Sequence, residues 1–114
     1  MTDNHDSFDN TLEFIRSCVK RRRILWIYHV NMRLKKRFIA RESIVASTDY
    51  FEIIEEYPRD KYLPSYLVYA KFEEQVFHIL FAVDIEADNV RVVTAYRPNP
   101  KEWEHDLKTR RQPK

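Results

Sequence analysis

Leu12, Ile15, Cys18 and Val19 recur at the spacing of one helix face, with Asp9, Asn10 or Thr11 placed to cap it, and predict a first helix over about 11–22. Trp26, Ile27, Val30 and Leu34 keep that spacing and predict the buried side of a second helix. On it His29, Arg33 and Arg37 stand at i, i+4 and i+8, a separate stripe. A third short helix is expected over about 41–48. Past residue 50 the pattern changes. Phe51–Tyr57, Ser65–Phe72, Val76–Asp84 and Val90–Arg97 are rich in β-branched or aromatic residues and read as strands, and their short connections imply an antiparallel meander. Ala87-Asp88-Asn89 is the clearest hairpin turn. Pro58 and Pro64 bracket the irregular segment Arg59–Leu63, which is placed to form a lip over a site. Pro98 and Pro100 stop the last strand, and Lys101–Arg111 reads as a closing helix docked by Trp103 and Leu107. The expected class is α+β: N-terminal helices packed on a four-stranded antiparallel sheet, with a C-terminal helix.

Residues two apart in a strand share a face. Phe77, Ile79, Phe81 and Val83 are then core, and His78, Leu80 and Ala82 point the other way. In the last strand Val92, Thr94 and Tyr96 fall on one side and Arg91, Val93, Ala95 and Arg97 on the other; alternation alone assigns neither to the interior. Glu52, Glu55 and Glu56 are candidate acids, but alternation places Glu52 and Glu56 on one face of their strand and Glu55 on the opposite one, and an exposed edge strand explains them more simply; Lys35-Lys36-Arg37 and Arg110-Arg111 are basic clusters that suit phosphate.

Composition narrows the picture. A chain of 114 residues, 44% hydrophobic and 14% aromatic, supports one core, so a single domain over 1–114 is expected, with 1–10 and 112–114 as flexible ends. The absence of glycine argues against phosphate-cradling loops, dinucleotide fingerprints and nucleophile elbows, and no cofactor is expected. A lone Cys18, read as a core residue, allows no internal disulfide and suits a reducing compartment. With no signal peptide and no apolar run long enough for a membrane span, a soluble cytoplasmic protein is expected. His29, His78 and His105 lack compact ligand spacing, and no metal is expected.

The net charge is only +2, but it is unevenly spread: residues 14–41 hold ten Lys and Arg and no acid, whereas 42–60 hold six acids and one base. One face should be strongly positive, suited to nucleic acid or to an acidic protein partner. The Lys20–Arg23 run has both a phosphate-binding reading and a plainer one as a solvated helix end. Metal-free RNA cleavage needs a base for the 2′-hydroxyl, an acid for the leaving oxygen and cations for the phosphorane. His29 and His78 are the candidate proton carriers, with Tyr96 orienting the phosphate or stacking on a base. Arg33, Arg37, Thr94 and Arg97 are candidate substrate-binding residues. A plainer reading stands beside each: a histidine on a sheet face is more often a satisfied structural side chain, and Trp103 is better explained as a packing anchor.

The order Trp26-x-x-His29 with Arg33 and Arg37, Glu55-Glu56-Tyr57-Pro58, Pro64-Ser65-Tyr66-Leu67, Phe77-His78-Ile79 and Val93-Thr94-Ala95-Tyr96-Arg97-Pro98 resembles domain-of-unknown-function family 4258 over about residues 12–103. That family is similar to the RelE and BrnT group of small bacterial toxins, with helices followed by an antiparallel sheet. Its members often neighbour a zinc-finger antitoxin. The resemblance implies the toxin of a type II toxin–antitoxin system: an endoribonuclease acting on RNA, ribosome-bound mRNA included, and held in check by a cognate antitoxin. A non-enzymatic RNA- or protein-binding module on the same basic face is the alternative. Many members carry a glycine just after the second arginine of the helical stripe, where this chain has Phe38, so the turn after the second helix is a point of departure.

Overall fold

The computed structural model describes residues 4–112, with side chains from Asn10 onward. Of the expected flexible ends, 1–10 and 112–114, residues 1–3 and 113–114 lie outside the described residues. Helix α1 spans Asn4–Lys20 and begins well ahead of the expected start. It closes with Arg23 N–H on the Cys18 carbonyl (2.8 Å) and Arg22 N–H on Val19 (3.2 Å), which puts Arg22 in the left-handed region at φ 63°. Strand β1 (Ile24–Trp26), helices α2 (Tyr28–Lys36) and α3 (Arg41–Ala46) and a 3₁₀ turn (Thr48–Tyr50) follow. The meander is β2 (Glu52–Tyr57), β3 (Ser65–Phe72), β4 (Gln75–Asp84) and β5 (Asn89–Tyr96).

The sheet has five strands in the order β1-β5-β4-β3-β2. The four predicted strands stand where the alternation puts them. The fifth corrects the expectation, because β1 pairs in parallel with β5, Ile24 opposite Val90 and Trp26 opposite Val92. Three residues are too few to display a period of two, and Trp26 and Ile27 happen to continue the helical spacing of Val30 and Leu34. Trp26 is therefore in a strand, and Ile27 is exposed rather than part of a buried helix face.

The helices cover one face of the sheet. Ile15, Cys18 and Val19 of α1, Val30 and Leu34 of α2 and Ile44 of α3 pack with Val68, Phe77, Ile79, Phe81 and Val92 into one core. Cys18 is a buried core thiol, as its spacing predicted. Helix α2 also ends in a left-handed residue: Phe38 has φ 56°, and Ile39 N–H reaches the Leu34 carbonyl at 3.0 Å. The turn that suits glycine is thus kept, with an aromatic side chain left 87% exposed on it.

Two bulges decide what reaches the other face of the sheet. Between Leu80 and Phe81 the register shifts, so that Phe81 faces Val92 while Leu80 faces Thr94, and Val93 is the extra residue. Val92 and Ala95 are both buried in the core, and Thr94 and Tyr96 turn to the outer face. The even alternation expected over β5 breaks there. A second shift between Ile53 and Glu55 does the same in β2: Glu52 and Glu55, expected on opposite faces, both reach the C-terminal segment.

That segment is not the predicted helix. It runs as turns with a bridge between Trp103 and Arg110. Asn99 Oδ1 accepts from Lys101 N–H (2.9 Å), and Asp106 Oδ1 accepts from Lys108 and Thr109 N–H (2.9 and 3.0 Å). Short polar side chains here take the backbone donors that a helix needs, and Leu107 at φ 58° turns the chain back. Trp103 is nevertheless the anchor the sequence suggests, only 1% exposed on the outer face. Among the described residues no helix is long and apolar enough to cross a membrane.

Candidate functional site

Because β3, β4 and β5 are in register, their outer side chains form rows. One row is Tyr69–His78–Tyr96, and the next, two residues along, is Leu67–Leu80–Thr94. The C-terminal segment lies over the first row. The Trp103 ring stands edge-on to His78 at 4.4 Å between centroids, and His78 Nε2–H donates to the Leu107 carbonyl at 2.6 Å. Lys108 pairs with Glu52 (2.9 Å) and lies over the Tyr69 ring, and Arg110 lies 4.4 Å over Trp103. His78 is closed off: its exposure is 0%, its Nδ1 is buried without a partner, and burial pushes its pKa below the ordinary value. In this arrangement no substrate reaches it.

At the border of the two rows the groups come together differently. Tyr57, Asp60, Leu67, Leu80, Thr94, Tyr96 and Arg110 line a cavity of about 270 Å³ that opens to solvent. Arg110 grips Glu55 with two hydrogen bonds (3.0 and 3.1 Å), and the Tyr57 hydroxyl donates to the same carboxylate. The Arg110 bond is the main reason the Glu55 carboxyl stays below its ordinary range, so it is ionised at neutral pH. Burial pushes both phenols up, Tyr57 further through its bond to Glu55, so both keep their protons. A guanidinium and two protonated phenols thus meet at one open wall, and the Glu55 carboxylate is bound to two of the three.

The structure divides the predicted site residues. Thr94 and Tyr96 line this cavity. Arg37 Nη1 donates to the Ala95 carbonyl (2.7 Å), while Arg97 donates to the carbonyls of Arg37 (2.5 Å) and Phe38 (3.0 Å). These two arginines clasp the end of α2 to the end of β5. His29 and Arg33 remain exposed on α2, and among the described residues Arg33, Lys35 and Lys36 carry no ion pair, so the basic face is located there. The Lys20–Arg23 run serves mostly as scaffold: Lys20 pairs with Asp49 (2.7 Å), Arg21 with Asp88 (2.8 Å), and Arg23 holds the Ala87 and Asp88 carbonyls (3.0 Å each) of the β4–β5 turn. Among the described residues no three His, Cys, Asp or Glu gather as a metal site would require.

Tyr57 is the member that sequence reasoning missed; in the sequence Glu55 is a candidate acid more simply explained by an exposed edge strand, and Arg110 counts only as part of a basic pair with Arg111. A bulge in β2 and a folded-back segment bring them together, and neither leaves a periodic trace. The nearest signal was the Glu55-Glu56-Tyr57-Pro58 motif ending at the bracketed lip.

Fold and site define a small α+β domain whose helices seal one face of a meander and carry exposed basic residues on α2, while the other face holds an open polar cavity. The chain belongs to the domain-of-unknown-function family DUF4258, whose sequence model matches residues 26–97. That span takes in Trp26 of β1, α2, α3 and the whole meander but stops short of Trp103 and Arg110, and it is narrower at both ends than the motif order suggests. No curated protein and no solved structure matches the chain.

Proposed function

We propose that this protein is the toxin of a type II toxin–antitoxin pair, similar to the RelE and BrnT group, and that it cleaves RNA without a metal at the Tyr57–Tyr96–Arg110 cavity, with Glu55 held at its edge. The observation that carries the reading is the convergence on its wall of two protonated phenols and a guanidinium, with the ionised Glu55 carboxylate hydrogen-bonded to Arg110 and Tyr57 beside them. These are the groups that transesterification needs. Glu55 accepts the proton of the 2′-hydroxyl as its oxygen attacks phosphorus. Arg110 neutralises the phosphorane, and Tyr96 gives its proton to the departing 5′-oxygen. The products are a 2′,3′-cyclic phosphate and a free 5′-hydroxyl. His78 stands behind Tyr96, 5.5 Å between ring centroids, as a positioning residue rather than a proton carrier. The exposed cations of α2, Arg33 among them, attract RNA at longer range, and the antitoxin is the partner that covers this basic surface.

The test is incubation of the purified protein with end-labelled RNA, alone and with translating ribosomes. Cleavage is expected, and Glu55→Gln and Tyr96→Phe should each lower its rate by about 10²-fold or more. Binding without cleavage in both settings would overturn the nuclease reading in favour of a non-enzymatic binding module on the same face.

A further inference from the structure

The lip between β2 and β3 carries a costly arrangement that the scaffold does not explain. Tyr62 sits in the left-handed region at φ 75°, unusual for a bulky residue, and its ring is 99% exposed. An aromatic side chain held fully in water by an unfavourable backbone gains nothing from packing within the chain.

Tyr62 stands on the wall of a second cavity of about 350 Å³, floored by Ala82 and Val93 and edged by Ile27, Asp60 and Arg91. Asp60 also lines the Tyr96–Arg110 cavity, so the two adjoin. Their floors are consecutive outer rows of the sheet, Leu80–Thr94 and Ala82–Arg91. At about 3.3 Å of rise per residue, a two-residue step is between 6 and 7 Å, a distance one nucleotide of an extended single strand spans. The bulge adds Val93 to the apolar floor where the cavities meet. Lys61 on the lip gives the rim a cation for a phosphate backbone, and Arg91, which also pairs with Asp84 at 3.2 Å, adds a second donor group to the rim.

We propose that this second cavity is a subsite for one unpaired nucleobase of single-stranded RNA, with Tyr62 as its stacking platform and Asp60 and Arg91 facing the base edge. The subsite rests on the RNA-directed reading of the neighbouring cavity and adds to it the class of substrate and a determinant of register. Stacking on an aromatic ring tolerates any base, whereas the carboxylate and guanidinium at the rim discriminate among base edges.

The experiment measures binding of a fluorescent six-nucleotide RNA, 2′-O-methylated throughout so that it cannot be cleaved, to the full chain. Tyr62→Ala should weaken binding about tenfold and Tyr62→Phe should leave it unchanged, because the ring and not the hydroxyl stacks. With hexamers made abasic at each position in turn, the difference between wild type and Tyr62→Ala should vanish at one position. Equal affinity of wild type and Tyr62→Ala, or a loss that no abasic position removes, would overturn the subsite. If the wild type still cleaves unmodified RNA, the proposed function stands without it. If the wild type binds neither hexamer nor unmodified RNA, both fall, and a protein partner becomes the occupant of the lip.

Discussion

Two halves of one sheet face, built from the same strands, have become different materials. Under the C-terminal segment, Tyr69, His78 and Tyr96 are stacked with Trp103 and tied by Lys108 and Arg110. Two residues further along, Leu67, Leu80, Thr94 and Ala82 floor an open groove. Strand alternation is the same in both. What separates them is a cover lying outside the strands, so the chemistry available to an outward-facing residue is set by a segment distant in sequence.

The largest effect that would break this contrast comes from removing the anchor. Trp103→Ala should cost about 3–5 kcal/mol in urea unfolding and uncover His78, whose imidazole should then titrate closer to its ordinary value by NMR. An unchanged His78 titration would show that the cover does not depend on Trp103.

Next is the histidine itself. Burial depresses the folded-state pKa of His78 below the ordinary 6.5, so between those two values the unfolded chain binds a proton that the native state refuses. Stability should therefore be level above about pH 7 and fall as the pH drops below about 6.5. His78→Gln should flatten that window while costing about 1–3 kcal/mol at pH 7.5. Glu55 and Asp88, held below their ordinary values chiefly by hydrogen bonds from Arg110 and Arg21, act in a lower window, with their stabilisation lost as pH falls below about 4.5. A slope that persists through pH 6 in His78→Gln would place the titrating group elsewhere.

The clasp comes third. Arg37→Ala should destabilise by about 1 kcal/mol through the lost bond to Ala95, whereas Arg33→Ala should leave the unfolding midpoint unchanged and weaken RNA binding. The reverse outcome would exchange their roles. The smallest stability effect belongs to the open half: the Glu55–Arg110 pair is largely solvent-exposed on the arginine side, so Arg110→Gln should cost under about 1 kcal/mol while abolishing cleavage. Equal losses of stability and activity would make Arg110 a structural tie only.

The legible parts of this fold are those a period of two or 3.6 can encode. The four meander strands, the Asp88 turn, the bracketed lip, the core side of β4 and the Trp103 anchor were all readable. What was not readable depends on register. A single extra residue, Val93, moves Thr94 and Tyr96 to the face opposite Val92, and Ile54 does the same for Glu55. The stripe of His29, Arg33 and Arg37 was visible, but spacing could not reveal that Arg37 is spent on a backbone carbonyl. Nor could it foresee a closing segment whose Asn99 and Asp106 form turns where helical periodicity was expected.

Among the described residues six, Arg22, Phe38, Tyr62, Glu73, Asp88 and Leu107, occupy left-handed backbone in a chain with no glycine at all. Each carries an avoidable cost of about 1 kcal/mol, and that turns the set into a ready-made assay. Substituting glycine at each position in turn relaxes the backbone and deletes one side chain. Where the side chain is only tolerated, as at Glu73 in a hairpin, the melting temperature should rise with function intact. Where it is kept for what it touches outside the chain, as proposed for Tyr62, stability should rise while binding falls. The missing glycines thus mark in advance the positions at which this protein's stability and its activity can be pulled apart.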